Sequence, residues 1–226
     1  MADIAQNLRR VRERIAAACG RSGRDPSEVT LVAVTKTVTS AEVAELHRLG
    51  VRDFGENRVA DGLMRKNALG AADARWHMIG HLQRNKAADA LDGGFLRIHS
   101  VESAKLVEVL DRECARRNLR ATVLLEVNVS GEASKYGLRP EDAAALAEKA
   151  AESENIDLSG LMTMAPFTDD PETARPHFRA LAALRDDLSR RLSVPLPHLS
   201  MGMTGDFEVA VEEGATLVRV GTALFA

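Results

Sequence analysis

The chain has 226 residues, 45% of them apolar and 28% charged, with a net charge of −3. That size allows a substantial core, and the charge leaves no electrostatic footprint for nucleic acid. No apolar run approaches the ~20 residues of a membrane span, and Cys19 and Cys114 form no CxxC and are too few for a disulfide framework, which fits a reducing cytoplasm.

The opening stretch MADIAQNLRRVRERIAAACG is charged where a secretory signal needs an apolar centre, so it reads as an amphipathic helix. The basic clusters RRVRER (9–14) and RRNLR (116–120) read as solvated helix faces. Short strand-like runs then alternate with helical stretches. Strands are expected at 30–36, 53–57, 75–80, 95–101, 121–129, 158–165, 198–203 and 216–225. Helices are expected near 40–49, 57–68, 83–91, 102–117, 140–153, 171–191 and 206–213. In 102–117, Ala104, Leu106, Val107, Leu110 and Cys114 fall close to helical spacing. Segment 30–36 is apolar on both faces, as buried parallel strands are.

Strict βα alternation implies a parallel sheet of α/β class. Eight units favour a closed (β/α)8 TIM barrel, typically ~250 residues, carrying one extra N-terminal helix. The rival is a doubly wound sheet, which wants a glycine-rich turn after its first strand, and TKTVTS is not one. No linker rich in Pro, Gly or Ser divides the chain, so residues 1–226 are expected to form a single domain.

In such a barrel, chemistry sits at the C-terminal strand ends. Those ends read Lys36, GEN (55–57), IGHLQRNK (79–86), HSVES (99–103), NVSGEASKYG (128–137), MAP (164–166), SMGMTGD (200–206) and RVGT (219–222). Polar, glycine-containing segments thus crowd one rim. Arginine outnumbers lysine 24 to 6, so a lysine closing the apolar run LVAVTK needs its own explanation. Desolvated on one side, Lys36 would have a lowered pKa, and a neutral amine attacks carbonyls to form a Schiff base. Equally, it can snorkel to water or pair with Glu56.

The last two strand ends favour the first alternative. SMGMTGDFEVAVEEG reads as strand, small-residue turn and helix, and RVGT adds a second glycine-containing turn. Loops after strands seven and eight recurrently bind phosphate through backbone N–H groups, to which Ser200, Thr204 and Thr222 can add hydroxyls. Asp206 and Glu208 lie in the helix's first turn and would oppose a phosphate unless they cap the helix's own amides. A Schiff-base lysine opposite a phosphate cup describes pyridoxal 5′-phosphate. Arg219 beside the pyridine nitrogen cannot give up its proton, which leaves the ring a weaker electron sink.

The segments VAVTK, FGENRV, WHMIGHLQRNK, VNVSGEASKYG, GLMTMAP and LSMGMTGDFEVAVEEGATLVRVGTALF resemble, in order, the pyridoxal phosphate homeostasis protein family (YggS/PROSC-like). The resemblance runs from about residue 30 to 225. It implies an alanine-racemase-type barrel of the fold-type III class, without that enzyme's second domain. It also implies pyridoxal phosphate on Lys36, its phosphate near Ser200 and the Gly221–Thr222 turn, Arg219 at the ring nitrogen and Asn57 near the ring. The implied role is to carry or buffer the cofactor inside the cell without catalytic turnover. Apo enzymes that use the cofactor are the expected recipients. Two departures stand out: TKTV lacks a second lysine, and Thr204 replaces the usual serine. Lys135 in SKYG matches a family lysine and is either a secondary amine for transfer or a solvated loop residue.

His77 and His81 have i,i+4 spacing but fall on a strand and a loop, with no third metal ligand nearby in sequence. Trp76, MIG and LMTM read as barrel packing. Three readings follow: a cofactor carrier, a pyridoxal-phosphate-dependent amino-acid racemase, and a barrel with a structural lysine and another phosphorylated ligand. The chain stops one residue after the expected eighth strand, so a monomer is expected, with no second domain to supply a racemase's opposing tyrosine. The only tyrosine is Tyr136.

Overall fold

Eight short runs pair in parallel and in chain order, each with the next and the last with the first, closing a barrel. They are β1 (Thr30–Val34), β2 (Asp53–Glu56), β3 (Arg75–Met78), β4 (Arg97–Val101), β5 (Ala121–Glu126), β6 (Ile156–Met162), β7 (His198–Ser200) and β8 (Leu217–Val220). The computed structural model describes residues 3–95, 97–132 and 135–226. Met1 and Ala2, Leu96 of the expected strand 95–101, and Ala133 and Ser134 of the segment 128–137 lie outside the described residues.

The α-helices are α1 (Ile4–Ser22), α2 (Ser40–Arg48), α3 (Val59–Leu69), α4 (Ala87–Asp92), α5 (Ala104–Arg117), α6 (Ala143–Ala151), α7 (Arg175–Leu192), α8 (Phe207–Glu212) and α9 (Thr222–Phe225), and four short 3-10 turns accompany them. Local chemistry marks several ends. Asp3 caps α1 by accepting from the Gln6 N–H at 2.9 Å, and Thr39 with Glu42 forms a capping box on α2. Ser103 caps α5, which ends on Asn118 in the left-handed region at φ 52°. The buried face of α5 includes Leu106, Val107, Leu110 and Cys114, as its spacing implies. Ala104 is exposed instead.

The apolar run 216–225 does not form one strand. It divides at Gly221 (φ −119°, ψ −81°), after which Thr222–Phe225 makes a helical turn that buries Leu224. The apolar residues after Gly221 and Thr222 suit a strand and a buried helical turn equally well, and the glycine marks the division. The turn packs on α1, where Asn7 Nδ2 donates to the carbonyls of Leu224 and Ala226 at 3.3 and 2.8 Å.

The main core fills the space between barrel wall and helices and includes the buried rings of Phe54, Phe95, Phe178 and Phe207. Trp76 belongs to it, stacked on Phe54 with centroids 5.2 Å apart. A separate small cluster of Val32, Leu124, Met162 and Leu217 occupies part of the bore. The bore also holds polar groups: His99 on β4 bonds Ser200 on β7, and these strands are not neighbours in the wall, so the contact crosses the interior. Among the described residues, no helix is long and apolar enough to cross a membrane.

Candidate functional site

β1 ends at Val34, so Lys36 sits in the turn after the strand rather than on its last residue. The Thr35 hydroxyl donates to Glu56, and Arg65 on α3 donates to the Glu56 carboxylate at 3.1 Å. Arg65 also donates to the carbonyls of Lys36 and Val38, at 3.2 and 3.1 Å. One buried guanidinium thereby pins the loop that carries the lysine. Burial pushes the Glu56 carboxyl up, against Thr35 and Arg65, and its oxygens are committed to those two residues. Glu56 is therefore not the partner of Lys36. Among the described residues, no carboxylate lies within ion-pair distance of the Lys36 ammonium. Lys36 is exposed, which corrects the expected one-sided desolvation.

Lys36 borders a cavity of about 290 Å³, with Thr204, Gly205, Arg219, Gly221 and Thr222 on its other walls. The loops after β7 and β8 meet here, and the Ala223 N–H donates to Thr204 Oγ1 at 3.4 Å. No hydrogen bond among the described residues takes the backbone N–H groups of Thr204, Gly205, Gly221 or Thr222. Four unclaimed donors around one concavity form an anion cup. Gly202 makes the cup possible. It has φ +90°, and an added Cβ would lie 2.6 Å from Ala210 Cβ and 2.8 Å from Phe207 Cα. Only glycine lets α8 approach this turn so closely.

The two acids at the start of α8 part company. Glu208 points outward into a bidentate pair with Arg14 of α1, at 2.8 and 2.6 Å, so it does not oppose an anion in the cup. Asp206 borders the cavity and accepts from the Met203 N–H at 2.6 Å instead of capping α8. Burial pushes its carboxyl up, towards the neutral form, which softens repulsion of an anion.

Arg219 is buried, donating from Nη1 to Ser200 Oγ at 2.6 Å and from Nη2 to the Thr163 carbonyl at 2.8 Å. Burial pulls its pKa down to about 10, so it stays charged at neutral pH. Ser200 is fully buried, and its hydroxyl is occupied by Arg219 and His99. It lies beneath the cavity rather than in its wall, so it supports Arg219 rather than adding a donor to the cup. Asn57 follows β2 at the same rim, with Gly80 close against its backbone, and is not one of the lining residues.

Across the mouth stands a group that sequence reasoning passed over. Glu126 ends β5 at 2% exposure, and burial with the neighbouring Glu102 pushes its carboxyl up to about 7, opposed by Arg219. A lone carboxylate closing the apolar run ATVLLE was the available signal, of the same kind that marked Lys36. His81 pairs with Glu102 at 3.0 Å and stacks on Tyr136 at 4.8 Å, whereas His77 faces Asp53 and His99, so the two do not share a site. Lys135 is held by Glu132 at 3.2 Å and reaches the Met164 carbonyl at 3.5 Å, so it is not a freely solvated loop lysine.

The family model described as alanine racemase, N-terminal domain, matches residues 1–226. The pyridoxal phosphate homeostasis protein of Aquifex aeolicus (strain VF5) is 45% identical over 223 residues, covering 99% of this chain and 97% of that protein. The protein of the same name from Pseudomonas aeruginosa is 44% identical over 225 residues, covering 100% of this chain and 96% of that one. PipY of Synechococcus elongatus, solved with PLP bound, superposes with a TM-score of 0.86 at 34% identity, covering 99% of this chain and 100% of that one.

Proposed function

Since this chain belongs to the alanine racemase N-terminal domain family and, within it, to the pyridoxal phosphate homeostasis proteins, we propose that it binds pyridoxal 5′-phosphate and holds it for delivery rather than for turnover. The observation that carries this reading is one cavity bordered by an amine without a carboxylate partner, a buried guanidinium and four unclaimed backbone N–H groups. The ligand's three recognisable parts each find a match. Its aldehyde suits the Lys36 amine, its phosphate suits the N–H groups of Thr204, Gly205, Gly221 and Thr222, and its ring nitrogen suits Arg219 as a donor.

When bound, the cofactor would supply an electron-withdrawing ring joined to Lys36. The chain's own contributions are simpler to state. Arg65 fixes the Lys36 loop, the cup orients the phosphate, and Arg219 holds a proton it does not release. We assign Asn57, at the same rim though outside the cavity lining, to the ring side, and Ser200 acts through Arg219. Lys135 is a paired charge at the mouth, within reach of a departing ligand. We further infer a monomer working in the cytoplasm, with apo enzymes that use the cofactor as recipients.

Incubation with pyridoxal phosphate, borohydride reduction and peptide mass mapping test the assignment. The pyridoxyl group should appear on the peptide containing Lys36, and Lys36→Ala should stay folded and unlabelled. Label concentrated on Lys135, or spread evenly, would overturn it.

A further inference from the structure

Two buried histidines take no part in the proposed site, yet they lie on a continuous line to it. His77 Nε2 is 2.9 Å from Asp53 Oδ1, and His77 Nδ1 is 2.9 Å from His99 Nε2. His99 Nδ1 is 2.8 Å from Ser200 Oγ, which accepts from Arg219 Nη1. The chain runs from β2 through β3 and β4, crosses the bore to β7 and ends on β8.

The hydrogen positions follow from the two ends. Burial alone would raise Asp53, but hydrogen bonds from Arg75 and His77 override it and hold the carboxyl well below the usual range. An ionised carboxylate only accepts, so His77 Nε2 carries a hydrogen. Arg219 only donates, so Ser200 Oγ accepts. Burial pushes both imidazoles towards neutrality, reinforced at His99 by His77, Arg219, His198 and Arg97, and at His77 by Arg97 and Arg75 against Asp53. A neutral His77 then accepts at Nδ1 from His99 Nε2–H, and His99 accepts at Nδ1 from the Ser200 hydroxyl. Every donor points from Arg219 towards Asp53.

We propose that Asp53, His77, His99 and Ser200 are positioning residues, a one-way hydrogen-bond relay through the barrel bore that fixes Arg219 as a donor to the ring nitrogen of the bound ligand. The proposal rests on the pyridoxal phosphate reading. The relay orients rather than conducts, because its last member does not release a proton. It also answers an electrostatic need. Among the described residues no carboxylate is bonded to Arg219, and the aligned dipoles turn their negative ends towards its buried charge.

Two measurements on the full chain test this. In ¹⁵N-histidine-labelled, ligand-free protein at neutral pH, long-range ¹H–¹⁵N spectra should show His77 and His99 both neutral with hydrogen on Nε2. Hydrogen on His99 Nδ1, or a protonated His77, would refute the relay. Affinities for pyridoxal 5′-phosphate and its 1-deaza analogue, whose ring carries CH in place of nitrogen, separate positioning from general damage. His99→Leu should weaken the natural ligand about 10- to 100-fold, the scale of a hydrogen bond involving a charged group. Binding of the deaza analogue should change by no more than about 2-fold, as for an uncoupled group. His99→Gln, with a donor for His77 and an acceptor for Ser200, should recover part of the loss and stands in if the leucine variant does not fold. Equal losses for both ligands, or none for either, would overturn the proposal. Failure of the wild-type protein to bind pyridoxal phosphate would refute the site assignment instead, and the tautomers would still decide the relay.

Discussion

Glu126→Gln should stabilise the protein at alkaline pH and leave it nearly unchanged at acid pH. Glu126 is 2% exposed at the end of β5, and burial followed by the charge of Glu102 raises its carboxyl from 4.5 to about 7. A raised folded-state pKa means the folded protein keeps a proton that the unfolded chain has lost. The associated stability is full below the unfolded value and disappears as pH rises through the folded one. By pH 8 the native state has lost about 3 kcal/mol on this account. Glutamine has the shape of the protonated acid and no charge to desolvate, so the variant escapes that loss. At about 2–4 °C per kcal/mol for a chain of this size, the variant should melt about 6–12 °C above wild type at pH 8 and within about 2 °C of it at pH 4.5. Circular-dichroism melts of both proteins between those limits read the gap directly. The two chains differ only at position 126, so the gap between their curves reports the carboxyl placed there. Parallel curves, or a gap that widens towards acid, would refute the reasoning.

Arg65→Met removes the partner of buried Glu56 and the donor to two loop carbonyls, and should cost about 3–5 kcal/mol in urea unfolding. Adding Glu56→Gln should recover part of that loss, and no recovery would mean the uncompensated charge is not the cause. Gly221→Val places a Cβ 3.4 Å from Val34 Cβ and O and crowds the cup. It should weaken pyridoxal phosphate far more than Thr222→Ala, for which about 0.5–3 kcal/mol is expected, and equal wild-type affinity for pyridoxal and pyridoxal phosphate would sink the cup. Racemisation at enzymatic rates is not expected, since Tyr136 is 58% exposed, stacks on His81 and does not border the cavity, and a missing acid or base costs ~10²–10⁴ in rate. Exchange with inversion at Cα of L-alanine, lost in Tyr136→Phe, would promote the racemase reading.

The barrel was legible because alternation of apolar runs with amphipathic stretches admits few architectures. The polar rim was legible because such residues have no other place in a βα repeat. Lys36 stood out as a lysine in an arginine-rich chain. Arg65 did not, for the opposite reason: one arginine among 24 on a helix looks like solvated charge. His99 was assigned to the rim segment 99–103 but lies within β4, facing the bore. Strands buried on both faces carry no polarity pattern that tells bore from outer wall. The contact of His99 with Ser200 depends on closure, and no local spacing encodes it. Asp206 and Glu208, two residues apart, could not be told apart until α1 supplied Arg14 as the partner of one of them.

The site combines firm anchoring with an open mouth, and that combination favours holding over catalysis. Arg219 is locked by Ser200 and Thr163 and keeps its proton even with its pKa drawn down to about 10. A ring facing it remains a weak electron sink. Lys36 is exposed, and Phe167 at the cavity's edge is 97% exposed. Water therefore reaches the amine, whereas electrophilic catalysis gains from its exclusion. For a carrier the same exposure would be useful, because water or a recipient's amine needs access to an imine on Lys36 before the cargo can leave. On the proposed reading, the rigid parts of the site, the N–H cup and the relayed guanidinium, would recognise the ligand. The solvated lysine would let it go.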